Sequence, residues 1–128
     1  MIAVLFEAWP GPGQQSRYLD LAMALRPELD RIDGFVAIER FESLAEPGKL
    51  LSLSYWRDEA AITAWRNSVP HRATQAQGRR GVFSDYRLRI ANVVRDYGMT
   101  DRAEAPPDSC AAHESSRRLS VAKPGTQS

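Results

Sequence analysis

Residues 54–75 read Ser-Tyr-Trp-Arg-Asp-Glu-Ala-Ala-Ile-Thr-Ala-Trp-Arg-Asn-Ser-Val-Pro-His-Arg-Ala-Thr-Gln, and their passage from strand to helix to restarted helix decides the fold. An apolar strand ends at Trp56. Asp58 then offers a carboxylate to cap a helix beginning just after it, and Asp58 and Glu59 suit the positive end of that helix. Ile62, Trp65 and Val69 recur at i, i+3 and i+7, which makes one buried stripe. Pro70 lacks a backbone N–H and disfavours helical geometry at Val69, so the spacing predicts a break or restart there. The restart carries His71, Arg72 and Gln75 beside a large indole. Trp65 and His71 are therefore the expected neighbours of any reaction centre.

Upstream, residues 2–9 (Ile-Ala-Val-Leu-Phe-Glu-Ala-Trp) form a run of strand-forming types with apolar groups on both faces, stopped by Pro10-Gly11-Pro12-Gly13. That turn lacks the lysine and the spacing of a phosphate-cradling loop and is read as a plain turn. Residues 14–30 pattern as a helix with Tyr18, Leu21, Leu25 and Leu29 on its buried stripe, and Pro27 is expected to kink it or end it early. Residues 35–43 and 49–56 are strands joined by a loop short enough for an antiparallel hairpin. On the first, Phe35, Ala37, Glu39 and Phe41 are expected on one face, with Val36, Ile38 and Arg40 on the other. On the second, the small row Ser52, Ser54 and Trp56 suggests a surface covered by another body, a ligand or a second subunit. Residues 82–95 alternate as a long final strand, with Tyr86, Leu88, Ile90 and Asn92 against Arg87 and Arg89.

The order strand, helix, strand, strand, helix, strand is the βαββαβ pattern of the ferredoxin-like α+β fold, with a four-stranded antiparallel sheet and both helices on one face. Apolar side chains on both sheet faces leave the uncovered one in need of a partner. A symmetric homodimer with its sheets face to face is the simplest solution.

Of 128 residues, 43% are hydrophobic and 26% charged, as in an ordinary globule, and the net charge of +1 gives no electrostatic case for a nucleic-acid partner. The single cysteine, Cys110, excludes a disulfide framework and a cysteine-based zinc site within one chain. Nothing approaches the run of about 18 apolar residues that a membrane span requires, and no leader pattern opens the chain. A cytoplasmic setting without membrane contact is the expectation. Residues 1–97 read as one domain. Residues 98–128, whose stretch 100–128 holds Leu119 and Val121 as its sole large aliphatics, read as a disordered tail.

The element order, the Ser-Tyr-Trp-Arg-Asp-Glu-Ala-Ala junction, Ala-Trp-Arg at 64–66 and Pro-His-Arg-Ala at 70–73 resemble the antibiotic biosynthesis monooxygenase (ABM) superfamily of dimeric α/β-barrel proteins. The resemblance covers roughly residues 1–97. It implies a small monooxygenase that oxidises an aromatic or quinol-like (quinone-related) substrate with dioxygen and without a bound flavin or metal. Other members degrade haem with a histidine ligand, a tryptophan that distorts the macrocycle and an asparagine on the first strand; here residues 1–13 hold no asparagine.

His71 has three readings: a helix-start or solvent-facing side chain, a general base with an unperturbed pKa of about 6.5, or a metal ligand. One histidine does not make a zinc or non-haem iron site, which takes about three or four protein ligands, whereas haem iron needs a single axial one. Trp65 is both a core residue and a candidate cavity wall. Cofactor-free oxygenation asks for a base, groups to hold the resulting anion, and a dry cavity. His71 would be the base. Arg72, Arg87 or Arg89 would hold the anion, and Asn92, Tyr86 or Tyr55 would donate hydrogen bonds. Haem binding and breakdown, or a non-catalytic dimeric domain that binds a small apolar ligand or another protein, are the alternatives.

Overall fold

The computed structural model describes residues 1–77 and 81–107. Two compact units divide at 92/93. The first contains β1 (Ile2–Pro10), α1 (Gln15–Asp30), β2 (Phe35–Glu42), β3 (Leu50–Trp56), α2 (Glu59–Arg66), α3 (Val69–Gln77) and β4 (Phe83–Asn92). The strands form one antiparallel sheet in the order β2-β3-β1-β4. This is the expected ferredoxin-like arrangement, with the second helical crossover divided in two.

β1 runs through the middle of the sheet, and its alternation sorts the side chains. Ile2, Val4, Phe6 and Ala8 pair with Trp56, Ser54, Ser52 and Leu50 on β3, and with Asn92, Ile90, Leu88 and Tyr86 on β4. Ile2 and Trp56 pack with Leu29 of α1 and with Ala61, Ile62 and Trp65 of α2, so this is the helix-covered face. Tyr18, Leu50 and Val82 centre a second cluster, joined by Phe6 and Phe83. The serine row of β3 lies beneath this core, and the body that covers it is the chain's own helices. Ser52 and Ser54 are buried, and Ser54 Oγ accepts a 2.9 Å hydrogen bond from Trp56 Nε1. Small side chains there leave room for bulky ones from the helices.

α1 forms with no side-chain cap and no charge at either end that complements its dipole. Its stability rests on packing, as is usual for a short amphipathic helix. Tyr18, Ala22 and Leu29 are buried, Leu21 and Leu25 only partly, and the helix runs past Pro27 to Asp30. β2 departs from simple alternation. A register shift between Phe35 and Ala37 puts Phe35 opposite Trp56, where the rings meet edge-on at 5.2 Å. Phe35 therefore lies on the helix-covered face, not with Ala37, Glu39 and Phe41, because the bulge inverts the alternation once.

The opposite face, away from the described helices of the first unit, presents the half-buried Leu5, Leu51, Leu53 and Tyr55 and the exposed Phe41. At its centre, Glu7 takes Lys49 Nζ at 2.8 Å and an ion pair from Arg89, while Lys49 lies over the Trp9 ring at 5.0 Å. β4 ends at Asn92, short of the expected 95. In the second unit the described residues, 93–107, make local turns: Gly98 N donates to Asp101 O at 2.7 Å and Arg102 covers the Tyr97 ring at 5.0 Å. The rest of the expected disordered tail, with Cys110 and His113, lies outside the described residues. Among the described residues no helix is long and apolar enough to cross a membrane.

The β3–α2 junction depends on Gly34. Its φ is +92°, its carbonyl accepts Arg57 N at 2.7 Å, and a Cβ there would sit 2.8 Å from Ala61 Cβ. Gly34→Ala is expected to destabilise the fold by about 1–3 kcal/mol, through left-handed strain and displacement of α2. Urea unfolding checks this; an unchanged midpoint would refute it.

Candidate active site

The α2–α3 segment carries the aromatic–imidazole pair. Asp58 caps α2 as the sequence implies, accepting Ala61 N through Oδ1 at 3.0 Å. α2 ends at Arg66, and α3 starts at Val69, so the break falls at Asn67 and Ser68, ahead of Pro70. The reason is local. Proline is tolerated in the first turn of a helix, where its missing N–H has no intrahelical partner in any case. The stripe expected to run from Ile62 through Val69 is thus divided between two helices.

Ser68 joins them. Its hydroxyl donates to Trp65 O at 2.7 Å and accepts the backbone N–H of His71 at 3.3 Å. One side chain thereby ties the last turn of α2 to the first turn of α3. The Trp65 and His71 rings lie 5.0 Å apart with planes inclined at 55°. Trp65 is buried in the core, and His71 is half-buried. Burial of the imidazole, and secondarily the nearby Arg66 charge, hold His71 below its ordinary pKa. At neutral pH it is an uncharged base.

The other expected site residues divide between the two faces of the sheet. Tyr86 and Asn92 share the face of Val4 and Phe6. Tyr86 packs 5.6 Å from the Phe6 ring and 6.1 Å from Phe83. The helices leave β4 open on this side: Tyr86, Leu88 and Ile90 are 59%, 51% and 44% exposed. A strip of apolar wall therefore stands beside a covered aromatic core. Arg89 and Tyr55 are a correction. They lie on the opposite face, paired in register with Leu5 and Ala3, and Arg89 is engaged by Glu7. The strand pleat, not distance along the chain, removes them from the His71 side. Arg72 stays near His71, and its Nη2 donates to Asn67 Oδ1 at 3.0 Å.

Arg66, Asn67, Arg72 and Gln75 wall a polar hollow of about 300 Å³. Arg66, Asn67 and Ser68 were not singled out from the sequence as site residues. Arg66 and Arg72 are six apart, which no single helix turns to one side, and only the break at Asn67–Ser68 brings them to a common hollow. Among the described residues no group of three or more His, Cys, Asp or Glu side chains is placed to hold a metal ion.

A family model for antibiotic biosynthesis monooxygenase matches residues 1–77. The chain belongs to the antibiotic biosynthesis monooxygenase (ABM) family. It is 50% identical over 94 residues to jasmonate monooxygenase ABM of Pyricularia oryzae, covering 73% of this chain and 44% of that protein. It is 32% identical over 62 residues to the uncharacterized protein YqjZ of Bacillus subtilis, covering 48% and 53%. The chain thus spans about half the length of these curated relatives. Among solved structures, Rv0793 of Mycobacterium tuberculosis is similar in fold, with a TM-score of 0.68, 20% identity and coverage of 76% of this chain and 98% of that one. A Deinococcus radiodurans protein matches with a TM-score of 0.68, 12% identity and coverage of 77% and 97%. The ABM chain shares its architecture with both.

His71 gives this ABM domain a pH-dependent stability. An unfolded chain takes up the histidine proton near pH 6.5, and the folded chain only at lower pH. Stability is complete above that value and falls as pH drops towards the folded pKa, because the unfolded state binds more protons in that window. Urea unfolding at about pH 7.5 and 5.5 should show this loss in the wild type and a smaller one in His71→Gln. Equal losses would contradict the assignment.

Proposed function

We propose that this ABM chain is a monooxygenase in which His71 is the general base, acting on a small, largely apolar substrate held between Trp65 and the open strip of β4. The observation that carries the proposal is the Trp65–His71 ring pair at 5.0 Å, with the imidazole kept neutral by burial. A neutral imidazole beside an indole can take a proton from an activated carbon or phenol. Phe6, Phe83 and Tyr86 form an aromatic cluster of their own further along the same sheet, which offers a wall for a flat ligand.

The chemistry balances without a bound flavin or metal when the substrate is an aromatic quinol or a related carbon acid. His71 removes a proton, and the carbanion forms a C–O bond with dioxygen. Reprotonation by the imidazolium gives a hydroperoxide, which then loses water. One oxygen remains as a new carbonyl, the other leaves as water, and the substrate supplies all four electrons (CH₂ + O₂ → C=O + H₂O). A second substrate class, cyclopentanone acids of the jasmonate type, is favoured by the identity to the Pyricularia enzyme over 73% of this chain. The haem reading finds less support, since the helix-covered face of β1 presents Ile2, Val4, Phe6 and Ala8, with no amide to face a macrocycle.

Oxygen uptake with jasmonate and with a hydroxyanthrone, under ¹⁸O₂, tests the proposal. One labelled oxygen per product molecule is expected. His71→Ala should lower kcat by about 10²–10⁴-fold, the range for loss of a general base. Trp65→Phe, which keeps the core filled, should raise KM more than it lowers kcat. Turnover undiminished in His71→Ala sinks the mechanism.

We also propose a homodimer closed through the open sheet face, with Leu5, Leu51, Leu53 and Tyr55 at its centre. Light scattering should give twice the chain mass, and Leu53→Arg should give the single-chain mass, because a lone buried guanidinium cannot be accommodated. A monomeric wild type overturns this.

A further inference from the structure

Beside the aromatic pair lies a hollow whose chemistry the proposed reaction does not use. Its described walls are Arg66, Asn67, Arg72 and Gln75, all donors of hydrogen bonds and none a carboxylate. Among the described residues its two cations have no acidic partner. Five other cations, Arg26, Arg31, Lys49, Arg57 and Arg89, pair with an aspartate or glutamate, while Arg40, Arg87 and Arg95, like the two of the hollow, form no ion pair among the described residues. Arg66 makes no ion pair among the described residues, and the side-chain partner of Arg72 is the neutral Asn67 amide. Asn67 Oδ1 thereby orients one guanidinium without neutralising it. Two adjacent cations repel one another, an arrangement that an anion between them relieves.

We propose that this hollow is a carboxylate subsite, which takes the head group of an organic acid whose apolar part lies against Trp65 and His71. The proposal rests on the Trp65–His71 site described above and adds to it the class of substrate. A guanidinium offers a planar fork of N–H donors that matches a carboxylate, and the amides of Asn67 and Gln75 can complete the set. At about 300 Å³ the hollow is large enough for a hydrated head group. Arg66 of the hollow lies close enough to His71 for its charge to act on the imidazole.

The arrangement also couples binding to basicity. Arg66 contributes to holding His71 below its ordinary range. A carboxylate seated against Arg66 offsets that charge, so the bound acid raises the proton affinity of His71 and makes it a better base. An ester or amide of the same acid has no charge and leaves His71 unchanged.

Binding to the full chain is measured by NMR and calorimetry with jasmonate, methyl jasmonate and octanoate. Both acids should bind about tenfold more tightly than the ester, the usual value of a hydrogen bond to a charged group. They should shift the Nε–H signals of Arg66 and Arg72 and move the His71 titration upward, His113→Gln serving to assign the two imidazoles. The Arg66→Gln/Arg72→Gln variant should bind acid and ester alike, whereas Arg31→Gln should keep the preference. Equal affinities in the wild type, a preference retained in the double variant, or guanidinium signals unmoved by saturating octanoate would each overturn the subsite. The wild-type signals decide the matter even if the double variant folds poorly. Arginine-dependent binding of acids without oxygen uptake leaves the subsite standing and removes the oxygenase reading. Oxygen uptake with no difference between acid and ester does the reverse.

Discussion

β1 is hydrogen-bonded along both edges, and its pleat settles which side chains can meet. A side chain on an even-numbered residue of Ile2–Ala8 enters the helix-covered core. One on an odd-numbered residue enters the open face. Because β3 and β4 pair with β1 residue against residue, that division extends across the sheet. It places Trp56, Tyr86 and Asn92 on the side of the helices, and Tyr55, Glu7 and Arg89 on the other. A slip of one residue in either ladder would exchange the two sets, moving the buried Trp56 out of the core and Arg89 away from Glu7.

The two faces consequently carry different electrostatics. On the open face Glu7, with 21% of its side chain exposed, is held ionised mainly by its hydrogen bond to Lys49, with Arg89 adding to the effect. Its contribution to stability is present above the ordinary carboxylate range and is lost as pH falls through its lowered pKa. On the helix face the titratable group is His71, whose charged form is disfavoured. Lowering the pH thus first affects the His71 side and only later the Glu7 cluster. The open face keeps its ion pairs in the range where the imidazole begins to charge.

Between α2 and α3 the chain turns without a glycine. Ser68 supports the turn by bonding to both helices, donating its hydroxyl to a carbonyl at the end of one and accepting an N–H at the start of the other. The same hydroxyl bonds hold the Trp65 and His71 rings in contact and turn Arg66 and Arg72 towards a shared hollow. Folding and the candidate chemistry therefore depend on the same short segment.

Much of this was legible in the order of residues. The six-element pattern, the Asp58 cap, the helix restart near Pro70 and the pairing of Trp65 with His71 all follow from local preferences, which act over a few residues and are written in composition and spacing. The Phe35 bulge, the burial of the serine row and the early end of β4 do not, since each reflects what packs against the strand from elsewhere. So, too, with the site. The sequence by itself determined that an indole and an imidazole sit at a helix break in a chain of ferredoxin-like order. Only the tertiary structure decided that Tyr55 and Arg89 face away from them and that Arg66 joins Arg72. The period of a strand and the angle between two helices are set by pairing and packing across the molecule, over distances at which neighbouring residues carry no information.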